Sequence, residues 1–254
     1  MKTEEYRAFI RVLAERSGDA IAPYFARHDL TVELKADRSP VTKADREGEA
    51  VMRELIGKTY PHHGIIGEEY GSENSSAEYV WTLDPIDGTV SFSRGCPLFG
   101  TAIGLLHRGT PILGAIHNPI LKQFCIGDGE QTTVNDRVAL MRPARSLEQA
   151  MLSVTDLKNI YKHHERQGFE KLLQATGLFR TWGDCYGYIF LVKGGVDIML
   201  DPIMNPWDVL PLIPILRGAG GIVTDWSGAD PVRSNSCVAA CANIHDRIVQ
   251  LLNS

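Results

Sequence analysis

Apolar residues recur at spacings of three and four near the start of the chain, with Tyr6, Ile10, Leu13, Ser17, Ile21 and Tyr24 forming one stripe. This predicts an amphipathic helix running to about Arg27. The segment from Val32 to Val41, which contains Lys35-Ala36-Asp37-Arg38-Ser39-Pro40, is polar and reads as exposed. Thr42-Lys43-Ala44-Asp45 has the form of a helix start, with Thr42 as N-cap and an acid three residues on. That second helix carries Val51, Leu55 and Ile56 inward and stops before Pro61. The period then shortens. Gly64-Ile65-Ile66-Gly67 and Tyr79-Val80-Trp81-Thr82-Leu83 are short apolar runs followed by acids, and read as strands feeding loops. Residues 98–127 hold three β-like runs broken by Gly109-Thr110-Pro111, Asn118-Pro119 and Gly127-Asp128-Gly129, the pattern of an antiparallel meander. After about Ser146 the pattern alternates. Strands are expected near 151–154, 179–182, 196–200, 222–226 and 237–241, and helices near 165–174, 186–193, 208–217 and 244–252. Alternation of this kind predicts layered α and β structure with a partly parallel sheet. It sets a lobe boundary near residue 145, giving lobes 1–145 and 146–254 of one compact unit.

Composition narrows the function classes. Twenty-six basic against 31 acidic residues leave a net charge of −5, which excludes a dominant electrostatic footprint for nucleic acid or an anionic membrane. The longest apolar run, Val209 to Leu216, is too short to cross a bilayer. The first residues, Met1 to Arg7, mix charges and lack a signal-peptide apolar core. Five cysteines, an odd number with no CxxC pair, read as reduced, buried thiols of a cytoplasmic protein. The histidines, including His62-His63 and His163-His164, show no metal-ligand spacing and read as structural or solvated. Leu-Asp-Pro-Ile occurs twice, at 83–86 and 200–203, and reads as coincidence rather than duplication.

The candidate chemistry lies in four acidic groups at element ends. They are Asp45; Glu68-Glu69; Asp84 and Asp87 within Leu83-Asp84-Pro85-Ile86-Asp87-Gly88-Thr89; and Asp208 within Asn205-Pro206-Trp207-Asp208. Singly each has an ordinary role: a solvated turn, a first-turn acid favoured by the helix dipole, an N-cap, or an Asp-Pro-x-Asp-Gly turn. Together they are expensive unless a cation lies between them. All-oxygen sites suit hard divalent ions such as magnesium. Pro85 stiffens its turn so that both acids and the Ile86 carbonyl can face one point. Gly88 and Thr89 would then open a short helix or turn whose N–H groups hold an anion. Metal ligands beside an anion-binding backbone are what hydrolysis of a phosphate ester needs.

These same residues carry a resemblance. Trp81-Thr82-Leu83-Asp84-Pro85-Ile86-Asp87-Gly88-Thr89, followed by Phe92, looks like the first signature of the inositol monophosphatase family. Trp207-Asp208, followed by Gly218-Ala219-Gly220-Gly221, resembles the second. Val41-Thr42-x-Ala44-Asp45 and Gly67-Glu68-Glu69 are similar to the family's other two active-site segments, in the right order. The resemblance spans nearly the whole chain. It implies an α+β fold, the layered αβαβα sandwich of the inositol monophosphatase and fructose-1,6-bisphosphatase type, in a lithium-sensitive, magnesium-dependent phosphatase that commonly forms homodimers. Carried over residue by residue, it implies that Glu68, Asp84 and the Ile86 carbonyl hold a first magnesium and that Asp84, Asp87 and Asp208 hold a second. Glu68 would also help a third ion through water, and manganese is a potential substitute. Asp45 and Thr89 would orient and deprotonate the attacking water, and the Gly88 and Thr89 N–H groups would cradle the phosphate. One departure is visible: Gly218 stands where the family often has Glu, on the packing side of a helix end.

Thr181-Trp182-Gly183-Asp184-Cys185-Tyr186-Gly187-Tyr188 resembles the histidinol-phosphate phosphatase branch, as do Pro97-Leu98-Phe99-Gly100-Thr101 and Asp225-Trp226-x-Gly228. Chemistry agrees, because histidinol carries an ammonium and an imidazole that a carboxylate would recognise, whereas inositol is neutral. Asp184 is the candidate carboxylate, Asp201 a second, and Asn205 a further pocket residue. Asp184 would serve equally as the N-cap of the helix starting near Tyr186, and Tyr186 and Tyr188 read as core. The leading expectation is therefore hydrolysis of histidinol phosphate in histidine biosynthesis. A broader inositol- or sugar-phosphate phosphatase is the alternative. A 3′-phosphoadenosine 5′-phosphate phosphatase is disfavoured by the lack of a basic segment for a second phosphate. A non-catalytic metal-binding relative is disfavoured by the presence of all six residues Asp45, Glu68, Asp84, Asp87, Thr89 and Asp208.

Overall fold

The computed structural model describes residues 2–35 and 40–254. Helix α1 (Lys2–Ile21) ends a turn and a half sooner than its apolar stripe predicts, because Pro23 redirects the chain into a 3₁₀ turn over Ala22–Tyr24. Two short strands, β1 (Val32–Leu34) and β2 (Pro40–Thr42), pair antiparallel. Residues 36–39 of the segment read as exposed lie outside the described residues, and Lys35 beside them is half-buried rather than exposed. Helix α2 (Lys43–Thr59) starts at the expected cap: the Thr42 hydroxyl accepts from Ala44 N, and the Asp45 carboxylate takes the Thr42 N–H. Its buried face is Asp45, Gly48, Glu49, Met52 and Ile56, while Val51 and Leu55 flank it half-buried.

The chain next forms β3 (Gly64–Gly67), β4 (Gly71–Glu73), β5 (Tyr79–Asp87), the short helix α3 (Thr89–Ser93), and the strands β6 (Gly100–His107), β7 (Thr110–Asn118), β8 (Gln123–Gly127), β9 (Thr132–Val134) and β10 (Arg137–Val138). Together they make an eight-stranded sheet in the order β10-β9-β8-β7-β6-β5-β3-β4, antiparallel except where β3 runs parallel to β5. Past residue 145 the chain leaves this sheet. It forms β11 (Met151–Val154), α4 (Leu157–His163), α5 (Arg166–Ala175), β12 (Leu178–Arg180), α6 (Asp184–Val192), β13 (Ile198–Asp201), α7 (Pro206–Gly218), β14 (Gly221–Thr224), β15 (Cys237–Cys241) and α8 (Ala242–Leu252). These strands build a five-stranded sheet, β12-β11-β13-β15-β14, parallel across β12-β11-β13 and antiparallel beyond. Helix α4 has no counterpart in the apolar pattern; Asp156 caps it through the Lys158 N–H.

Three buried clusters stack these parts into layers. Tyr6, Ile10, Leu13, Met52 and Ile56 of α1 and α2 cover one face of the large sheet, against Trp81, Leu83 and Ile103. Helices α6 and α7 fill the space between the two sheets, with Tyr188, Leu212 and Ile215 set among Ile116, Met199 and Ala239. Helices α4, α5 and α8 close the far side through Ile160, Phe169 and Ile248. The result is the expected αβαβα sandwich. A helix covered on two faces has no polar stripe, which is why Val209 to Leu216 reads as a continuous apolar run. Gly114 lets β7 approach this helix closely, since a Cβ there would collide with the Pro211 carbonyl. The Gly218 departure is likewise a packing matter: a Cβ would come within 2.7 Å of the Gln131 carbonyl carbon. No helix among the described residues is long and apolar enough to cross a membrane.

Candidate active site

The acidic groups converge where β3, β5 and α7 meet. At the end of β5 the register with β6 slips between Asp84 and Asp87. Thr101 Oγ1 donates to the Pro85 carbonyl at 2.8 Å and Ile86 N donates to Asp84 Oδ1 at 2.9 Å, which pins the bulge. The slip puts both acids on one side. Asp208, in the first turn of α7, swings toward them while its Oδ2 accepts the Asn205 N–H at 2.7 Å. Carboxylate oxygens of Asp84, Asp87 and Asp208 then all lie within 4.8 Å of one another.

Such crowding has an electrostatic signature. Burial, followed by repulsion from Glu68, Asp87 and Asp208, pushes the Asp84 carboxyl well up. Asp87 is raised for the same reasons, with Asp208, Asp184 and Asp201 as the repelling charges. Burial pushes Asp208 up to about 7 against the stabilising Asn205 N–H. None of the three forms an ion pair with Lys, Arg or His among the described residues. The donor set is thus all-oxygen, preassembled and short of positive charge, which fits a hard divalent cation. No histidine or cysteine joins a metal-type cluster among the described residues. Cys125, Cys185, Cys237 and Cys241 are free, buried thiols and Cys96 is half-buried.

Glu68 sits on the turn after β3. Its Oε1 takes the Lys35 ammonium at 2.8 Å, and Glu69 Oε1 takes the same ammonium at 2.7 Å. Burial opposes the Lys35 charge, yet the two carboxylates hold it above its ordinary range. Glu69 itself is pushed up to about 7, because burial outweighs the lysine contact. Lys35 was not legible as a site residue; its segment shows only polarity, and the contact brings together residues more than 30 positions apart.

Asp45 lies fully buried beside this turn. Its Oδ2 accepts from Thr42 N at 2.8 Å and from Thr42 Oγ1 at 2.6 Å, leaving Oδ1 for the Thr89 hydroxyl at 3.1 Å. Thr89 Oγ1 also lies 3.1 Å from the Ile86 carbonyl. Gly88, at φ +99°, turns the chain from β5 into α3 in a conformation that favours glycine.

On the other wall, Asp184 Oδ2 accepts the Ser91 hydroxyl at 3.2 Å, and a Cβ on Gly88 would fall 2.9 Å from that same oxygen. Asp184 is not the N-cap of α6. That position is Gly183, and Asp184 is the first helical residue, at φ +51°, with its N–H donating to Thr155 Oγ1 at 2.8 Å. Burial pushes its carboxyl up to about 6. Asp201 lies deeper: it takes the Tyr188 hydroxyl at 2.7 Å, and burial pushes it up to about 7 against hydrogen bonds from Thr155 and Tyr188. Tyr186 and Tyr188 are core residues, as expected. Asn205 is exposed and occupies the N-cap of α7.

Comparison with known proteins adds a second line of evidence. The family model described as "Inositol monophosphatase family" matches residues 2–254. The chain is 39% identical over 246 residues to the bifunctional phosphatase IMPL2, chloroplastic, of Arabidopsis thaliana, covering 95% of this chain and 70% of that protein. It is 33% identical to the histidinol-phosphatase of Chlorobaculum parvum, over 92% of this chain and 91% of the relative. Among solved structures, an inositol monophosphatase from Zymomonas mobilis superposes with a TM-score of 0.86 at 33% identity, covering 99% of this chain and 98% of that one.

Proposed function

The chain belongs to the inositol monophosphatase family, and on that premise we propose that it is a magnesium-dependent phosphomonoesterase that hydrolyses L-histidinol phosphate to L-histidinol and phosphate. In this reading Glu68, Asp84 and the Ile86 carbonyl would hold one magnesium and Asp84, Asp87 and Asp208 a second, and Glu68 would also help to hold a third. Magnesium bound there supplies charge neutralisation for the phosphoryl group and acidifies an attacking water.

The residues around the cluster divide the remaining work. Asp45 Oδ2 is occupied by two Thr42 donors, so Oδ1 is the oxygen that takes the Thr89 proton. With that proton committed, a lone pair on Thr89 Oγ1 is left to accept a hydrogen bond from the attacking water and orient it. The Gly88 and Thr89 N–H groups would face the phosphate, and Gly88 is suited to this turn by its positive φ and by the Asp184 carboxylate, which a Cβ would meet at 2.9 Å.

The observation that carries the substrate reading is the half-buried Asp184 carboxylate against Gly88 and Ser91. A half-buried carboxylate at the rim of a phosphate site fits a leaving group that bears an ammonium and an imidazole. The named histidinol-phosphatase relative, matched over more than 90% of both chains, supports the same substrate. The equally similar inositol monophosphatase structure favours the second reading, a broader inositol- or sugar-phosphate phosphatase. Phosphate release from histidinol phosphate, inositol 1-phosphate and glycerol phosphate, each with magnesium, tests the two. The proposal requires kcat/KM for histidinol phosphate to exceed the others by at least about tenfold, the span of one lost charged hydrogen bond. Comparable values would favour the broader reading.

A further inference from the structure

Glu49 lies one helical turn beyond Asp45 on α2 and is fully buried, yet no step described above uses it. Two of its three contacts go to the turn after β3, and the third is to Arg53, one turn further along α2. Oε2 accepts the Glu69 N–H at 2.7 Å, and Oε1 accepts the Tyr70 N–H at 3.2 Å and Arg53 Nε at 2.7 Å. Arg53 then donates to the Gly71 carbonyl. The carboxylate therefore underpins the turn between β3 and β4 from below. Gly67 makes room for it, since a Cβ at that position would collide with Glu49 Oε1.

Burying a carboxylate is costly unless it is paired and fully hydrogen-bonded, as this one is. Fixing an otherwise ordinary surface turn does not call for that expense. The turn carries Glu68, whose N–H donates at 3.1 Å to the carbonyl of Leu83, the residue before Asp84. We propose that Glu49 is a positioning residue: with Arg53 it sets the Gly67–Tyr70 turn and so aims the Glu68 carboxylate at the Asp84–Asp87–Asp208 cluster. The proposal rests on the reading of Glu68 as a metal ligand. Outer partners that orient a ligand are typically worth about 10- to 100-fold in metal affinity.

Two measurements on the full chain test it: amide hydrogen exchange of the metal-free protein and calorimetric titration with magnesium alone. Glu49→Gln keeps the size of the side chain, but all three of its partners are donors, so the amide must oppose at least one. Exchange at Glu69 and Tyr70 should speed up by about tenfold or more, and magnesium affinity should fall by about 10- to 100-fold. Protection in β6 and β7 should stay unchanged. Gly67→Ala, which displaces the same carboxylate from the opposite side, should reproduce both effects. Retained protection at Glu69 and Tyr70 with normal magnesium affinity would overturn the proposal. So would loss of protection throughout β6 and β7, because Glu49 would then be holding the fold rather than the turn. Glu68→Gln separates the two ideas. If it leaves magnesium affinity intact while Glu49→Gln still loosens the turn, the ligand role of Glu68 fails and the turn-setting role stands.

Discussion

Asp184→Asn isolates the charge that the substrate reading depends on. The φ of +51° lies in a region where Asn and Asp are the favoured non-glycine residues, so the backbone should hold. The Asn amide oxygen can still accept the Ser91 hydroxyl. No helix cap is lost, because Gly183 and not Asp184 is the N-cap of α6. The carboxylate also repels Asp87, so the metal-free melting temperature should stay constant or rise. The expected damage is confined to a substrate with a cationic leaving group. A charge-assisted hydrogen bond is worth about 1.5–3 kcal/mol, which corresponds to roughly 10- to 150-fold in kcat/KM for histidinol phosphate. Inositol 1-phosphate and glycerol phosphate should change by only a few-fold, and relative preference for them should rise. The assay is steady-state phosphate release for all three esters, with a thermal melt of the same preparation. Equal loss on all three would refute the reasoning, and a lowered melting temperature alongside would assign Asp184 to holding α3 through Ser91.

Other changes probe the centre itself. Asp87→Asn should cost roughly 100-fold or more in kcat by removing one charge of the cluster, and Asp84→Asn should cost more because Asp84 is read as serving two ions; near-normal kinetics in both would contradict the assignment. Thr89→Ser should keep much of the activity and Thr89→Ala lose most of it, with magnesium binding retained in each by calorimetry, whereas equal losses would point to packing of the methyl group. Activity should vanish in chelator, return with magnesium and be inhibited by high calcium, whose looser coordination misplaces the reactants; full turnover in chelator would end the metal reading. The rise in melting temperature caused by magnesium should itself depend on pH. Asp208 near 7 and the raised Asp84 and Asp87 bind protons in the metal-free fold that they do not bind when unfolded. Their contribution to metal-free stability is therefore present below the ordinary carboxylate range and lost as pH rises through about 7. Magnesium needs them deprotonated, so its stabilising shift should grow from pH 5 to 8 in thermal melts; a shift independent of pH would contradict the cluster as its site.

Much of the fold was legible because each layer leaves its own period in the chain. The α1 stripe, the meander after Leu98 and the run Val209–Leu216 each follow from how many faces of an element are covered. What stayed hidden depends on tertiary contacts without a local signal. Glu49 looks like one more charge in Asp45-Arg46-Glu47-Gly48-Glu49, and only its spacing of four from Asp45, on the face that also buries Met52, marks it as internal. Lys35, just past β1, joins Glu68 and Glu69 in the turn after β3 through a tertiary contact that no periodicity announces. Asp184 illustrates a third limit. An acid ahead of an apolar helix is a sound cap candidate, and it took the backbone conformation at Gly183 and Asp184 to move the cap by one residue.

The two copies of Leu-Asp-Pro-Ile show where local sequence stops and surroundings take over. Each copy spans the end of a strand: Leu83 to Ile86 in β5, and Leu200 to Ile203 at the close of β13. In the first, Thr101 holds the Pro85 carbonyl, Ile86 is buried, and the bulge swings Asp84 into a cluster with no ion-paired Lys, Arg or His among the described residues. In the second, the His164 ring lies 2.9 Å from the Pro202 carbonyl, Ile203 faces solvent, and the buried Asp201 takes the Tyr188 hydroxyl at 2.7 Å. The same four residues thus yield a carboxylate among other carboxylates at one site and a carboxylate held by a phenol at the other. The deciding factor is what surrounds each acid. Asp201 is buried against the Tyr188 hydroxyl, so its direct contact with substrate is the weakest of the substrate assignments. Asp184, with a single side-chain hydroxyl on its carboxylate, retains acceptor capacity for a cationic leaving group.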